Sequence, residues 1–251
     1  MIRVRGVSFS FSRHPVLNEL SVDAEDSLTT VIVGRSGIGK SVLLKCITGL
    51  LSPSAGSITI DGQEVIGADR AALLAIRKSI GMLFQEGALF DSMNVRENVA
   101  FPLVYHRQHS SREIDRKVEA YLDLVEMRGS ELAMPQELSG GMRRKVAIAR
   151  AMILEPRYLL YDEPTAGLDP ASAAVVESMM HRLQSERAIT SLVVTHDIDL
   201  TKYIADRIAL MEEGRISAHA DRADAFAEPS AIYEHFIENR ERIRAENGSQ
   251  G

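Results

Sequence analysis

The sequence has one cysteine, Cys46, in 251 residues. No disulfide can form within the chain, which fits a reducing compartment. No apolar run approaches the roughly 18 residues that a spanning helix needs, so the chain is predicted not to cross a membrane by itself. No apolar stretch follows Met1-Ile2-Arg3-Val4-Arg5, and no secretory signal is expected. A basic excess is also missing. Lys and Arg number 29 against 35 Asp and Glu, for a net charge of −6, which argues against a nucleic-acid binder. There is no internal repeat and no low-complexity segment. What remains is ordinary for a globular protein, with 45% apolar and 25% charged residues, enough to bury a sizeable core.

Short apolar runs alternate with helical patterns. Leu28 to Val33, Tyr158 to Tyr161 and Ser191 to Val194 read as strands of a parallel sheet covered on both faces. Between them, Ile114, Val118, Tyr121, Leu122 and Val125 repeat at helical spacing behind a capping-box signature, Ser110-x-x-Glu113. Residues from about 88 to 150 read as mostly helical, an insertion into an α/β core. After about Ala220 the chain turns polar. Pro229-Ser230 starts a short helix with Ile232, Tyr233, Phe236 and Ile237 on one face. That face needs a surface to cover, either its own core or a neighbouring subunit.

The sharpest signal is Gly34-Arg35-Ser36-Gly37-Ile38-Gly39-Lys40-Ser41, placed between a strand and an apolar helix face. The glycines let backbone N–H groups approach phosphate oxygens, and the helix N-terminus adds its positive end. Lys40 is expected on the β- and γ-phosphates and the Ser41 hydroxyl on Mg²⁺. Tyr158-Leu159-Leu160-Tyr161-Asp162-Glu163 ends a second strand in two acids. Asp162 suits Mg²⁺, through water, and Glu163 suits the general base for an attacking water. A solvated Asp-Glu-Pro turn is the bland alternative. Cys46 reads as a buried structural thiol, and Arg143-Arg144-Lys145 as a solvated basic face.

Leu138-Ser139-Gly140-Gly141-Met142 stands between these motifs, and Ala166-Gly167-Leu168-Asp169 and His196 follow them; Gln85 precedes all three. The ordered set, from about Val4 to Ala218, resembles the ATPase subunit of ABC transporters. The resemblance implies an α/β P-loop NTPase of ABC type. It would have a mostly parallel core sheet, an antiparallel N-terminal β region and an inserted helical subdomain. The expected boundaries are an ATPase domain at 1–219 (core 1–84 and 155–219, helical subdomain 85–154) and a C-terminal extension at 220–251.

On the same resemblance, Gln85 would touch Mg²⁺ and the attacking water and report nucleotide state to a membrane subunit. Ser139-Gly140-Gly141-Met142 would grip the ATP of a second copy in a head-to-tail homodimer, capping a helix from Met142 to about Glu155. Asp169 would lie at the dimer seam and His196 on the γ-phosphate. Phe11 would lie under adenine, with a core aromatic as its alternative. Lys40, Gln85, Glu163 and His196 are the expected catalytic set, with ATP as substrate and Mg²⁺ as metal. Two departures stand out. Met142 replaces the more usual Gln, exchanging a ribose hydrogen bonder for a thioether. Arg35 replaces the more usual small residue or proline.

Met142, with Met82 to Phe90 and Met93-Asn94-Val95, resembles one branch, the Mla-type phospholipid transporter ATPase. That branch implies an integral-membrane permease as partner, with an MCE-domain protein and a small cytosolic subunit as further candidates. It also implies a peripheral position on the cytoplasmic face of the inner membrane. Leu89, Phe90, Met93 and Val95 read as the exposed apolar groove for a permease helix, or else as packing within the helical subdomain. Other cargoes, such as an organic solvent, amino acid or metal, stay open. So do a non-transport ABC protein and a nucleotide-binding regulatory module, although intact Glu163 and His196 argue against the last.

Overall fold

The computed structural model describes residues 1–85, 87–107, 109–228 and 230–235. Its elements run β1 (Ile2–Phe11), β2 (His14–Ala24), β3 (Thr29–Val33), α1 (Lys40–Ile47), β4 (Ala55–Ile60), β5 (Gln63–Glu64), α2 (Arg70–Lys78), β6 (Ile80–Leu83), α3 (Val95–His106) and α4 (Ser111–Leu124). A 3₁₀ turn (Pro135–Glu137) leads into α5 (Gly140–Met152). Then follow β7 (Tyr158–Asp162), α6 (Pro170–Arg187), β8 (Thr190–Thr195), α7 (Ile198–Ile204), β9 (Arg207–Glu212), β10 (Arg215–Asp221) and α8 (Arg222–Ala225).

Two sheets form. The smaller, β2-β1-β4-β5, is antiparallel throughout. The larger has the order β10-β9-β3-β8-β7-β6, with all neighbours parallel except the β9-β10 pair. Every residue of β3, β7 and β8 is buried, as continuous apolar strands require when both faces are covered. Side chains alternate between those faces. Val31, Val33, Leu159, Tyr161 and Val193 join the core shared with the helices from α3 to α7. Ile32, Tyr158, Leu160, Leu192 and Val194 join the core shared with α1 and the antiparallel sheet. The parallel sheet is therefore the middle of three layers, and its strand ends are held from both sides.

The helical region is organised by its caps. Ser110 and Glu113 form the reciprocal capping box that the sequence predicts, and Asn94 and Glu97 form another ahead of α3. Val118, Tyr121, Leu122 and Val125 are buried together as their spacing requires. Asn98 is a buried polar hub. Its side chain accepts from the Phe90 N–H at 2.8 Å and donates to the carbonyls of Met93 (2.8 Å) and Phe90 (3.1 Å). It thus shapes the loop before α3 by satisfying backbone groups of Phe90 and Met93.

Beyond α8, Ser230 caps the next turn as expected, accepting from the Tyr233 N–H at 3.0 Å. Ile232 is 1% exposed and lies in the chain's own helix-side core. Pro229, Phe236 and Ile237, named with it in the tail reading, lie outside the described residues.

Cys46 is fully buried on α1, and burial pushes its thiol from 9.0 up to about 12. At pH 8 the native protein should therefore react with a disulfide reagent about a thousandfold more slowly than a thiol at 9.0. One thiol per chain should become reactive in denaturant. Rapid labelling of the folded protein would contradict this packing.

Candidate functional site

The site begins where β3 ends. Gly34 lies so close to the Met211 carbonyl that a Cβ would sit 2.6 Å from its oxygen. Gly39 has φ +111°, and a Cβ there would meet Val16 Cγ1 at 2.8 Å. Only glycine fits either position. Arg35, Ser36 and Gly37 are exposed along the loop, with Ile38 half-buried. Gly39 is the N-cap of α1 and offers no side chain to it, so the first N–H groups of α1 face the loop's interior, the geometry of an anion cradle.

The carboxyl ends of β3, β8 and β7 lie side by side, where open α/β sheets bind ligands. The Ser41 hydroxyl donates to Asp162 Oδ1 at 2.7 Å. Lys40 is buried, and its Nζ donates to the carbonyls of Gly34 (2.7 Å) and Arg35 (3.1 Å) and lies 3.3 Å from Glu163 Oε1. Glu163 Oε2 accepts from Thr195 Oγ1 at 3.1 Å, from the His196 N–H at 3.3 Å and from His196 Nδ1 at 3.0 Å. The structure brings Lys40, Ser41, Asp162, Glu163 and His196 together and leaves Gln85, of the expected set, outside this network. The sequence missed Thr195, because nothing in a strand-end threonine announces which carboxylate it will face.

Asp162 and Glu163 differ in aim and in charge. Asp162 closes β7 in register with Val194. Glu163 turns into the left-handed region at φ +47°, with its N–H on the Val194 carbonyl at 2.9 Å. Burial pushes the Glu163 carboxyl up, but the His196 hydrogen bond, the Lys40 charge and the Thr195 hydrogen bond together hold it below the usual range. Burial dominates at Asp162, helped by repulsion from Glu163 and opposed by the Ser41 hydrogen bond, so its carboxyl lies above the usual range. The Glu163 hydrogen bond raises His196 above its ordinary 6.5, against burial. The same contacts thus favour the ionised form of Glu163 and the protonated form of His196. Ser41 and Asp162 together form a hard oxygen donor pair of the kind that suits Mg²⁺.

Gln85 is exposed on a different wall. It faces Gly140 and Arg143 of α5 and the turn at Gly167-Leu168 across a cleft of about 530 Å³. Ser139 caps α5 by accepting from the Met142 N–H at 3.2 Å, and the helix runs from Gly140 to Met152. It therefore starts two residues before, and ends three before, the expected Met142 to Glu155. Ser139, Gly141 and Met142 share a shallow surface hollow with Ala171, Ser172 and Val175. Among the described residues no hydrogen bond or ion pair joins Ser139–Met142 to residues 34–41. Asp169 is exposed and caps α6 through the Ser172 N–H at 3.1 Å.

Phe11 is 51% exposed and packs edge-on to Phe9 at 4.9 Å. The core-aromatic alternative is excluded. Phe11 pairs with His14 in a hairpin whose returning strand supplies Val16 against Gly39.

Two further readings need correction. Arg143-Arg144-Lys145 is not a solvated face. Arg144 is 5% exposed, because α5 is covered by the 84–90 loop and the turn after β7. Val95 is not part of an exposed groove either; as the first residue of α3 it is wholly buried. Exposed apolar surface is formed instead by Phe90, Val104 and Tyr105, with Phe101 half-buried between them. Phe90 is 40% exposed, and its ring lies 4.7 Å from that of Phe101, which lies 6.2 Å from that of Tyr105. The i, i+4 spacing of Phe101 and Tyr105 was the available signal, obscured by Pro102 inside the helix.

Residues 17–166, well over half of the chain, match the family model described as ABC transporter. The chain is 37% identical over 238 residues to the intermembrane phospholipid transport system ATP-binding protein MlaF of Escherichia coli K12, covering 95% of this chain and 88% of that protein. It is also 37% identical over 241 residues to the methionine import ATP-binding protein MetN of Clostridium tetani, covering 96% and 76%. The ATP-binding cassette MJ0796, in a dimeric post-hydrolysis state bound to ADP and Pi, superposes with a TM-score of 0.81 at 28% identity, over 88% of this chain and 99% of that one. No helix among the described residues is long and apolar enough to cross a membrane. The chain belongs to the ABC transporter family, as an ATP-hydrolysing, ATP-binding subunit.

Proposed function

We propose that this subunit powers phospholipid movement through a partner permease, working as a head-to-tail homodimer on the cytoplasmic face of the inner membrane. The observation that carries the chemistry is the convergence of Lys40, Thr195 and His196 on the Glu163 carboxylate beside the Ser41–Asp162 pair. The reaction is in-line attack of water on the γ-phosphorus of ATP, releasing ADP and phosphate. Lys40 and the N–H groups at the start of α1 meet the phosphate charge. As Lys40 turns to the γ-phosphate, its ion pair with Glu163 loosens. The carboxylate is then free to take the proton of the attacking water. His196, anchored through Nδ1, presents its other ring edge to the phosphate. Ser41, Asp162 and Gln85 would hold Mg²⁺, which supplies charge neutralisation at the phosphates.

Support for the dimer comes from the separation of Ser139–Met142 from the chain's own phosphate loop, and from the dimeric state of MJ0796. In the dimer the free N–H groups of α5 would reach the partner's ATP. Asp169, on the rim near that hollow, would lie at the seam, and Phe11 would stack under adenine. The exposed aromatic row from Phe90 to Tyr105 suits an amphipathic permease helix. The lipid cargo rests on Met142 and residues 82–95 together with the likeness to MlaF. MetN, at equal identity, makes methionine the competing cargo.

Three outcomes test these assignments. Glu163→Gln should lower ATP turnover by about 10²- to 10⁴-fold, the span of a general base, while ATP binding persists; near-normal hydrolysis would remove Glu163 from the role. Phe90→Asp should cut recovery of the subunit with membranes on the order of thirtyfold, as for an interface residue worth about 2 kcal/mol, with an unchanged melting temperature. Undiminished membrane recovery would move the docking surface elsewhere. Finally, the subunit reconstituted with the permease that co-purifies should move fluorescent phospholipid between vesicles in an ATP-dependent manner. ATP-driven methionine uptake without lipid transfer would overturn the lipid reading.

A further inference from the structure

We propose that Arg144 is a positioning residue for hydrolysis, its guanidinium pinning two separate segments, the one before Gln85 and the turn from Glu163 toward Asp169, so that their site residues keep one relative placement. Arg144 lies in the first half of α5, almost wholly buried. Its Nη1 donates to the Phe84 carbonyl at 2.8 Å. Its Nη2 donates to the Ala166 carbonyl at 3.2 Å, with the Glu163 carbonyl at the outer limit of reach, 3.5 Å. Phe84 is the residue before Gln85. Ala166 lies in the turn that runs from Glu163 toward Asp169. A single planar group therefore touches the backbone of both segments.

The chemistry of arginine explains why this geometry is restrictive. Burying a guanidinium is costly unless its donors are matched. Carbonyls of two separate segments accept from it, so the guanidinium fixes where those segments lie. Its donors lie in one rigid plane, and a shift of either segment against the other breaks a bond. A lysine ammonium keeps the charge but has no such fork. Glu163 needs an external hold, because its φ of +47° is a region that non-glycine residues occupy only under constraint. The Val194 carbonyl holds its N–H, and Arg144 approaches its carbonyl from the opposite side.

The same helix secures the far end of the 84–90 loop. Arg150 donates to the carbonyls of Gly87 and Ala88, each at 2.9 Å, and its guanidinium lies 5.6 Å from the centre of the Phe90 ring. Thus α5 grips the loop at its entry, beside Gln85, and at its exit, beside Phe90.

The inference rests on the reading of Glu163 as the general base, and the experiment separates the two. For the full-length protein with Mg-ATP, kcat per ATP-binding site, KM, the Kd of a fluorescent ATP analogue and the melting temperature are measured. The variants are Arg144→Lys, Arg144→Met, Glu163→Gln and the Arg144→Lys/Glu163→Gln double variant. Arg144→Lys should lower kcat about tenfold to a hundredfold, the scale of ångström-level misplacement, with KM and Kd within about threefold. Arg144→Met should be at least as slow. Because Arg144 acts in part through Glu163, adding Arg144→Lys to Glu163→Gln should cost clearly less than the product of the two single losses. Several results would overturn the proposal: kcat within about threefold of the parent in a folded Arg144→Lys, parallel losses of kcat, binding and melting temperature, multiplicative losses in the double variant, or failure of both Arg144 variants to fold. Normal turnover by Glu163→Gln would instead retire the general-base reading, whatever the Arg144 variants do.

Discussion

Glu163 carries a negative charge into a place that water scarcely reaches, and much of the molecule around it exists to make that tolerable. An unpaired carboxylate there would cost several kcal/mol. Lys40, Thr195 and His196 remove that penalty; Lys40 follows the loop beyond β3, and Thr195 and His196 stand at the end of β8. The arrangement is possible only because β3, β8 and β7 are parallel neighbours whose carboxyl ends lie level. The level ends depend in turn on a sheet packed on both faces, with alternate side chains committed to two separate cores.

The neighbouring carboxylates show how finely local surroundings divide two similar groups. Asp162 and Glu163 are consecutive, both buried, and pushed in opposite directions. The left-handed turn at Glu163 is responsible. It sends one side chain to the Ser41 hydroxyl and the other among cations. An acid that stays ionised next to one paired with a hydroxyl provides two distinct functions from one dipeptide.

The helical region is more than a cover. Its helix α5 begins at the Ser139 cap and uses Arg144 and Arg150 to hold the loop that carries Gln85 and Phe90. Gln85 and Phe90, the proposed nucleotide-sensing and permease-docking residues, are therefore fastened to one rigid rod. A rotation of that rod would displace both together, which is the mechanical requirement for coupling a chemical step to a partner.

The sequence by itself determined the architecture and the core of the site. The glycine spacing ahead of Lys40-Ser41 marks a phosphate loop, apolar strands ending in Asp-Glu and Thr-His announce a sheet edge, and Ser110 and Glu113 declare a helix start, because each is a local rule acting over a few residues. Tertiary structure alone decided which side chains meet. The buried role of Arg144 was hidden in a basic run that reads as solvated, since burial depends on the 84–90 loop folding over α5. Val95 was read as exposed for the same reason in reverse, because Asn98 and the capping box turn the first residue of α3 inward. The aromatic row of Phe90, Phe101 and Tyr105 assembles from a loop and a helix whose relative placement no spacing rule contains. Contacts between segments distant along the chain depend on how the layers pack, and only the folded chain carries that information.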